Sequence, residues 1–298
     1  MSRRGWLLFA AMSVIWGVPY LLIKIAVGGV PVPVLVLARV SVGAALLVPI
    51  AIRRRQLGAL RPHWRWLAAF AVVEIIVPWL LLSQAETRLS SSMSGLLIAS
   101  VPIIVAVLAR LTGGTERLSA LRWTGLLVGL AGVALLAGPG AAGGHAGSIA
   151  EVLLVALCYA TGPLIASRKL SELPPLGVTA VCLVFASVVY APVAALDWPA
   201  AVPSVKVLAA LAGLAVLCTA VAFLVFFRLI AEAGPARASV ITYINPAVAV
   251  ALGVSVLGER LTPAMVIAFT LILGGSVLAT RTPVGRRSYR TAVSGQPR

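Results

Sequence analysis

Charge is scarce in this 298-residue chain: 11% of the residues are Asp, Glu, Lys or Arg, and only 8 of them are acids. A soluble domain carries about 25% charged residues, so a water-soluble fold is excluded. Cysteine is scarcer still. Cys158, Cys182 and Cys218 all fall inside apolar runs, with no Cys-x-x-Cys pair and no Cys/His cluster of metal-ligand spacing. No disulfide, no metal site and no cofactor are expected. A Gly-rich phosphate loop is also missing.

What is present is apolar sequence, 61% of the chain, with a mean hydropathy of +1.07. Crossing a bilayer core takes roughly 20 apolar residues, so ten spans would use about 200 residues and leave short loops, with no room for a soluble domain. Charge clusters and Gly/Pro breaks place candidate helices near 6–27, 31–52, 65–83, 91–110, 120–137, 147–167, 176–196, 206–228, 237–257 and 263–280. The N-terminus superficially resembles a signal peptide. Its apolar run from Trp6 to Val27 is too long for one, however, and reads as the first span. Gly28, Gly29 and Pro31 must then turn the chain sharply, because an unbroken helix over 6–52 would be roughly 70 Å long.

The 24 Lys and Arg residues give a net charge of +16, which in a soluble chain would suggest a nucleic-acid partner. Their positions indicate lipid instead. With a cytoplasmic N-terminus, 19 of the 24 fall in cytoplasmic segments. Only Arg88, Lys206 and Arg260 fall outside, and Lys24 and Arg39 lie within spans. This segregation follows the positive-inside rule and predicts ten spans in the inner (plasma) membrane with both termini in the cytoplasm. His63 and His145 then lie in connections on opposite sides, and Ser90-Ser91-Ser92 reads as a helix start rather than a nucleophile. No enzymatic chemistry is expected.

The two halves superimpose at a shift of 143–144 residues: Pro19 on Pro163, Lys24 on Arg168, Pro102 on Pro246, Glu116-Arg117-Leu118 on Glu259-Arg260-Leu261, and Gly132 on Gly275. Five spans per half is an odd number, so the second repeat is inverted relative to the first. The expected fold is all-α, ten transmembrane helices as two inverted five-helix repeats over 1–140 and 145–282, with a basic cytoplasmic tail at 283–298. Inverted repeats are a recurring device of secondary transporters.

Several residues carry a specific resemblance. They are Trp16-Gly17-Val18-Pro19 with Lys24, Ala38-Arg39, Pro102 followed by Glu116-Arg117-Leu118 and Gly125, and Asn245-Pro246 followed by Gly258-Glu259-Arg260-Leu261 and Gly274-Gly275. On these, over about residues 6–280, the chain resembles the EamA-type exporters of the drug/metabolite transporter superfamily. The second copy of the first-span motif departs from the pattern, with Ala160-Thr161 in place of Trp16-Gly17. The resemblance implies export of a small solute, such as an amino acid, another metabolite or a drug, from a cavity lined by spans one, three, four, six, eight and nine. A non-transporting membrane scaffold and a lipid-linked carrier or flippase are the alternatives.

Candidate site residues follow from depth and chemistry. Pro19, Pro102, Pro163 and Pro246 each free a carbonyl four residues earlier, which marks spans one, four, six and nine as cavity walls and bending elements. Trp16, Tyr20 and Lys24 share one helical face. The two aromatics offer a stacking surface, and Lys24 is close enough to the outer end to snorkel. Arg39 and Glu74 lie deeper, at similar backbone depths, and are expected to be neighbours across spans two and three. Their pairing is either structural, or Glu74 takes up a proton on one side and releases it on the other. Ser100, Tyr159, Tyr243 and Asn245 beside the kinks offer hydrogen bonds to a solute. Glu151 reads as an interface charge. Gly125, Gly129, Gly132, Gly274 and Gly275 read as helix-packing or homodimer surface.

Overall fold

A backbone crossing a membrane must close its hydrogen bonds within itself, and each apolar run here does so as helix. The computed structural model describes residues 2–111, 120–138 and 145–280, and among them there is helix but no strand. In the first half, α1 spans Arg3–Ala26, α2 Val32–Arg53 and α3 Gly58–Glu86. α4 runs as Ser91–Ile98 and Val101–Leu111, and α5 as Ala120–Ala137. In the second half, α6 spans Ala146–Lys169, α7 Pro175–Leu196, α8 Val205–Ala233 and α9 Ser239–Leu257, and α10 covers Pro263–Thr280. Eight of these are long and apolar enough to cross a membrane, and α5 and α10 are shorter but apolar over Leu121–Leu136 and Pro263–Ala279. The turn at Gly28-Gly29-Pro31 separates α1 from α2, which starts at Val32 directly after Pro31. The first Glu-Arg-Leu triplet, 116–118, and the tail at 283–298 lie outside the described residues.

Large apolar side chains such as Leu7, Leu127, Val188 and Ile267 point outward, as a lipid-facing surface requires, and exposed Trp64, Trp66, Trp123 and Trp198 sit at helix ends, where a headgroup belt would lie. The face of the bundle carrying the N-terminus is called the N-terminal face below, and the opposite one the far face.

The packing repeats itself under exchange of the two halves. α2 packs on α7, α5 on α10 and α4 on α9, each helix against its own counterpart. The pairing of α3 with α6 is matched by that of α8 with α1, and α6 against α4 by α1 against α9. Contacts that map onto themselves when the halves are swapped belong to a two-fold relation, and five helices per half make that relation an inversion across the membrane.

The α5–α10 seam shows what the glycines do. A Cβ on Gly275 would overlap the Gly129 backbone and lie 2.6 Å from the Gly125 carbonyl oxygen. The backbones therefore touch, as small-residue membrane interfaces allow. Gly125, Gly129, Gly132 and Gly275 are consumed inside the chain, whereas a Cβ on Gly274 would meet nothing within 4 Å.

Helix interruptions are placed symmetrically, though not wholly as expected. α1 breaks at Trp16-Gly17, just before Pro19 at the start of its second piece, and α4 breaks before Pro102. In α9 a tighter 3-10 turn over Ser239–Tyr243 precedes Asn245-Pro246. α6, in contrast, runs unbroken through Pro163. Two further irregularities fall at matching positions, wide π turns over Val72–Ile76 in α3 and Gly213–Val221 in α8. In α3 the widening lies just before Pro78, which has no N–H to offer the Glu74 carbonyl. The Tyr190 hydroxyl donates to the Ile76 carbonyl at 2.6 Å, and the Thr219 hydroxyl to the Leu214 carbonyl at 2.9 Å. Each widened turn thus carries a side-chain hydroxyl bonded to one of its backbone oxygens.

Candidate functional site

The two π turns bracket a buried polar cluster in the middle of the bundle. Arg39 of α2 is only 6% exposed. Its guanidinium carbon lies 3.6 Å from the centre of the Trp79 ring of α3, and its Nε donates to the Thr219 hydroxyl of α8 at 3.0 Å. That hydrogen bond is the only one Arg39 makes among the described residues, so most of the five N–H groups of the fork remain to be offered elsewhere. Tyr20 of α1, Tyr159 of α6 and Cys218 of α8 are its electrostatic neighbours, and the Tyr159 hydroxyl lies beside the Trp79 indole. A planar cation stacked on an aromatic ring and aimed by one hydroxyl suits a carboxylate or another planar anion.

Glu74 does not meet Arg39. Its carboxylate lies against Gly162 of α6, where a Cβ would collide with Glu74 Oε2, and that oxygen is buried with no hydrogen-bond partner. Tyr159 lies within electrostatic range of both charges. The expected Arg39–Glu74 pair rested on equal depth, but depth leaves the angle around the helix axis open, and it is Trp79 that α3 turns toward α2.

The other expected site residues separate. Trp16 packs edge-on against Phe223, with ring centres 6.2 Å apart, and tilts against Phe226 at 4.6 Å, forming an aromatic cluster with α8. The Ser100 hydroxyl donates back to the Leu97 carbonyl at 2.7 Å and so serves the break in α4. Oriented by its hydrogen bonds, the Asn245 amide donates to the Ser13 and Ile241 carbonyls at 3.0 Å each, tying α1 to the break in α9. Tyr243 lines an open apolar groove with Leu273, Gly274, Val277 and Leu278. The structure thus brings Tyr20, Arg39 and Tyr159 together and adds Trp79 and Thr219. One signal for Trp79 was available, its place beside Pro78 within a span.

A second polar group closes the far face. Lys24 does not reach for the interface: its ammonium donates to the carbonyls of Glu86 and Leu89, at 2.6 and 2.7 Å, where α3 ends. Arg168, its repeat counterpart on the N-terminal face, is exposed and makes no hydrogen bond among the described residues. Glu259, in the connection from α9 to α10, accepts from the backbone N–H groups of Ser91 and Ser92, at 2.7 and 2.9 Å, and from the Ser92 hydroxyl. It thereby caps α4, satisfying orphan donors at the positive end of the helix dipole. Glu259→Ala is expected to cost about 1–2 kcal/mol of stability, the usual range for a lost cap, read as a lowered unfolding midpoint in detergent.

Comparison with known proteins accords with this architecture. The model of the EamA-like transporter family matches residues 3–138 and again 148–281. The chain is 29% identical to the "uncharacterized inner membrane transporter YedA" of Escherichia coli over 281 residues, 91% of this chain and 88% of that one. It is 28% identical to a Streptantibioticus cattleyicolor protein named "probable terminal-alkyne amino-acid exporter", covering 96% of each. A crystal structure of a protein 24% identical in sequence superimposes with a TM-score of 0.65, over 92% of this chain and 96% of that one.

Proposed function

Since the chain belongs to the EamA-like transporter family, we propose that this multi-pass membrane transporter exports small solutes bearing a carboxylate, with amino acids as the leading class, by alternating access. The observation that carries this reading is Arg39, a buried guanidinium stacked on Trp79 with no carboxylate bound to it among the described residues. A buried charge is expensive unless it meets a partner or water, and a transported anion is such a partner. Tyr20 and Tyr159 bring hydroxyls within electrostatic range of it. The amino-acid exporter among the relatives supports the same substrate class. Charge segregation supports a cytoplasmic N-terminal face, and YedA, named as an inner membrane transporter, supports that membrane.

The breaks at Pro19, Pro102 and Pro246 and the π turns of α3 and α8 are where the helices bend as access alternates. Glu74, partnerless against α6, is the proton carrier in this reading. Glu74→Gln is expected to abolish the stimulation of flux by a pH gradient while leaving substrate counterflow within about two-fold. A variant still fully driven by the gradient excludes that role.

Counterflow in proteoliposomes tests the substrate class, using amino acids, sugars, nucleosides and cationic drugs, with and without an imposed pH gradient. Exchange confined to carboxylate-bearing solutes is expected. Equal exchange of cationic drugs lacking a carboxylate, or no exchange of any solute by folded protein, overturns the reading.

A further inference from the structure

Glu86, the last residue of α3, is fully buried, and neither of its carboxylate oxygens has a hydrogen-bond partner among the described residues. The charged groups around it are each engaged elsewhere. Lys24 of α1 spends its ammonium on the Glu86 and Leu89 carbonyls, Arg39 of α2 is held by Trp79 and Thr219, and Glu259 from the α9–α10 connection caps α4. These three, with the Tyr20 hydroxyl of α1, are the titratable and charged groups facing it. A buried carboxylate that accepts no hydrogen bond, close to a second carboxylate, is sustained most cheaply as the neutral acid. A metal cation fits poorly beside Lys24 and Arg39, whereas a single proton leaves the carboxyl neutral and supplies a donor to a site short of them.

We propose that Glu86 is a proton-binding site that controls the Lys24 clasp on the far face. With the proton on the Glu86 carboxyl, that group no longer draws Lys24, which holds the carbonyls at the α3–α4 corner, the arrangement seen here. When the proton leaves for the far-face solution, the new carboxylate draws the Lys24 ammonium into an ion pair. The Glu86 and Leu89 carbonyls are then released, and the corner joining α1, α3 and α4 is untied. Glu86 and Glu74 are separate sites on one helix, the first acting at the far-face closure and the second beside α6.

Protonation of Glu86 is independent of solute transport, and only its consequence for flux rests on the reading above. The test therefore uses purified protein in lipid nanodiscs. The chain has three lysines, Lys24, Lys169 and Lys206, so a sample labelled with 15N-lysine gives three assignable side-chain signals, with Lys24 identified by its loss in Lys24→Met. Infrared difference spectra across a pH series report protonated carboxyl groups on the same preparation. The expected result is a carboxyl band that vanishes as pH rises, is missing in Glu86→Gln and persists in Glu74→Gln. The Lys24 signal is expected to move over the same pH range in the unmodified protein and to stay fixed in Glu86→Gln. Thermal unfolding confirms that each variant is folded. A carboxyl band unchanged by Glu86→Gln overturns the site. A Lys24 signal that ignores pH, or still follows it in Glu86→Gln, overturns the link.

Discussion

Arg39→Ala is expected to reduce affinity for a carboxylate-bearing solute by roughly 30-fold to several thousand-fold, the equivalent of the 2–5 kcal/mol typical of truncating one partner of a desolvated charge pair. The folded protein itself should not suffer in proportion. Among the described residues Arg39 makes no ion pair, so removing it also removes an expensive buried charge, and the unfolding midpoint should stay level or rise. That opposition separates a binding role from a structural one. Arg39→Lys sharpens the test by keeping the charge while losing the plane that stacks on Trp79 and the fork that grips two carboxylate oxygens, so an intermediate loss of affinity is expected. Substrate concentration dependence of counterflow measures both variants, and unaltered affinity in Arg39→Ala refutes binding by Arg39.

The largest effect on stability should come from the α5–α10 seam. A side chain at Gly275 would meet backbone atoms of Gly125 and Gly129, which have no rotamer to move into. Overpacking a core typically costs about 1–3 kcal/mol when side chains can shift. Gly275→Leu should exceed that range and prevent recovery of folded protein in detergent. The neighbouring residue supplies the control. Gly274 faces open space, so Gly274→Ala meets no obstacle and should gain up to about 1 kcal/mol from helix propensity. Comparable losses in both variants would show that general crowding of α10, rather than the Gly275 contact, sets the cost.

Much of the architecture is legible in the residues because the bilayer simplifies the problem. A span must be apolar and about as long as the membrane is thick, so the helices, the turn at Gly28-Gly29-Pro31 and the duplicated halves can all be read without packing information. Prolines mark three of the helix breaks because a missing N–H is a local fact. Pro163 shows the limit, since the residue alone does not decide between a break and a continuous bent helix.

The site is less legible, for a geometric reason. Depth follows from counting residues, but the angle about a helix axis depends on what packs there, and a π turn shifts that angle for everything beyond it. Residue counting puts Arg39 and Glu74 at similar depth, yet they face different helices. Trp79 and Thr219, which hold Arg39, are of types unremarkable in any span. Glu86 and Glu259 sit at span ends, where charge is ordinarily cheap, and only the structure shows the first fully buried and the second capping another helix.

The unequal fates of Lys24 and Arg168 bear on how the molecule divides its time. Under the alternating access proposed above, two identical inverted halves would make the two access states mirror images, equally populated at rest. Here the hydrogen bonds of Lys24 have no counterpart at Arg168 among the described residues. A hydrogen bond to a charged group contributes about 1.5–3 kcal/mol, and even the lower figure is more than a tenfold bias. In that cycle the divergence of Lys24 from Arg168, one of several between the copies, would bias the empty carrier toward the state in which the far face is tied.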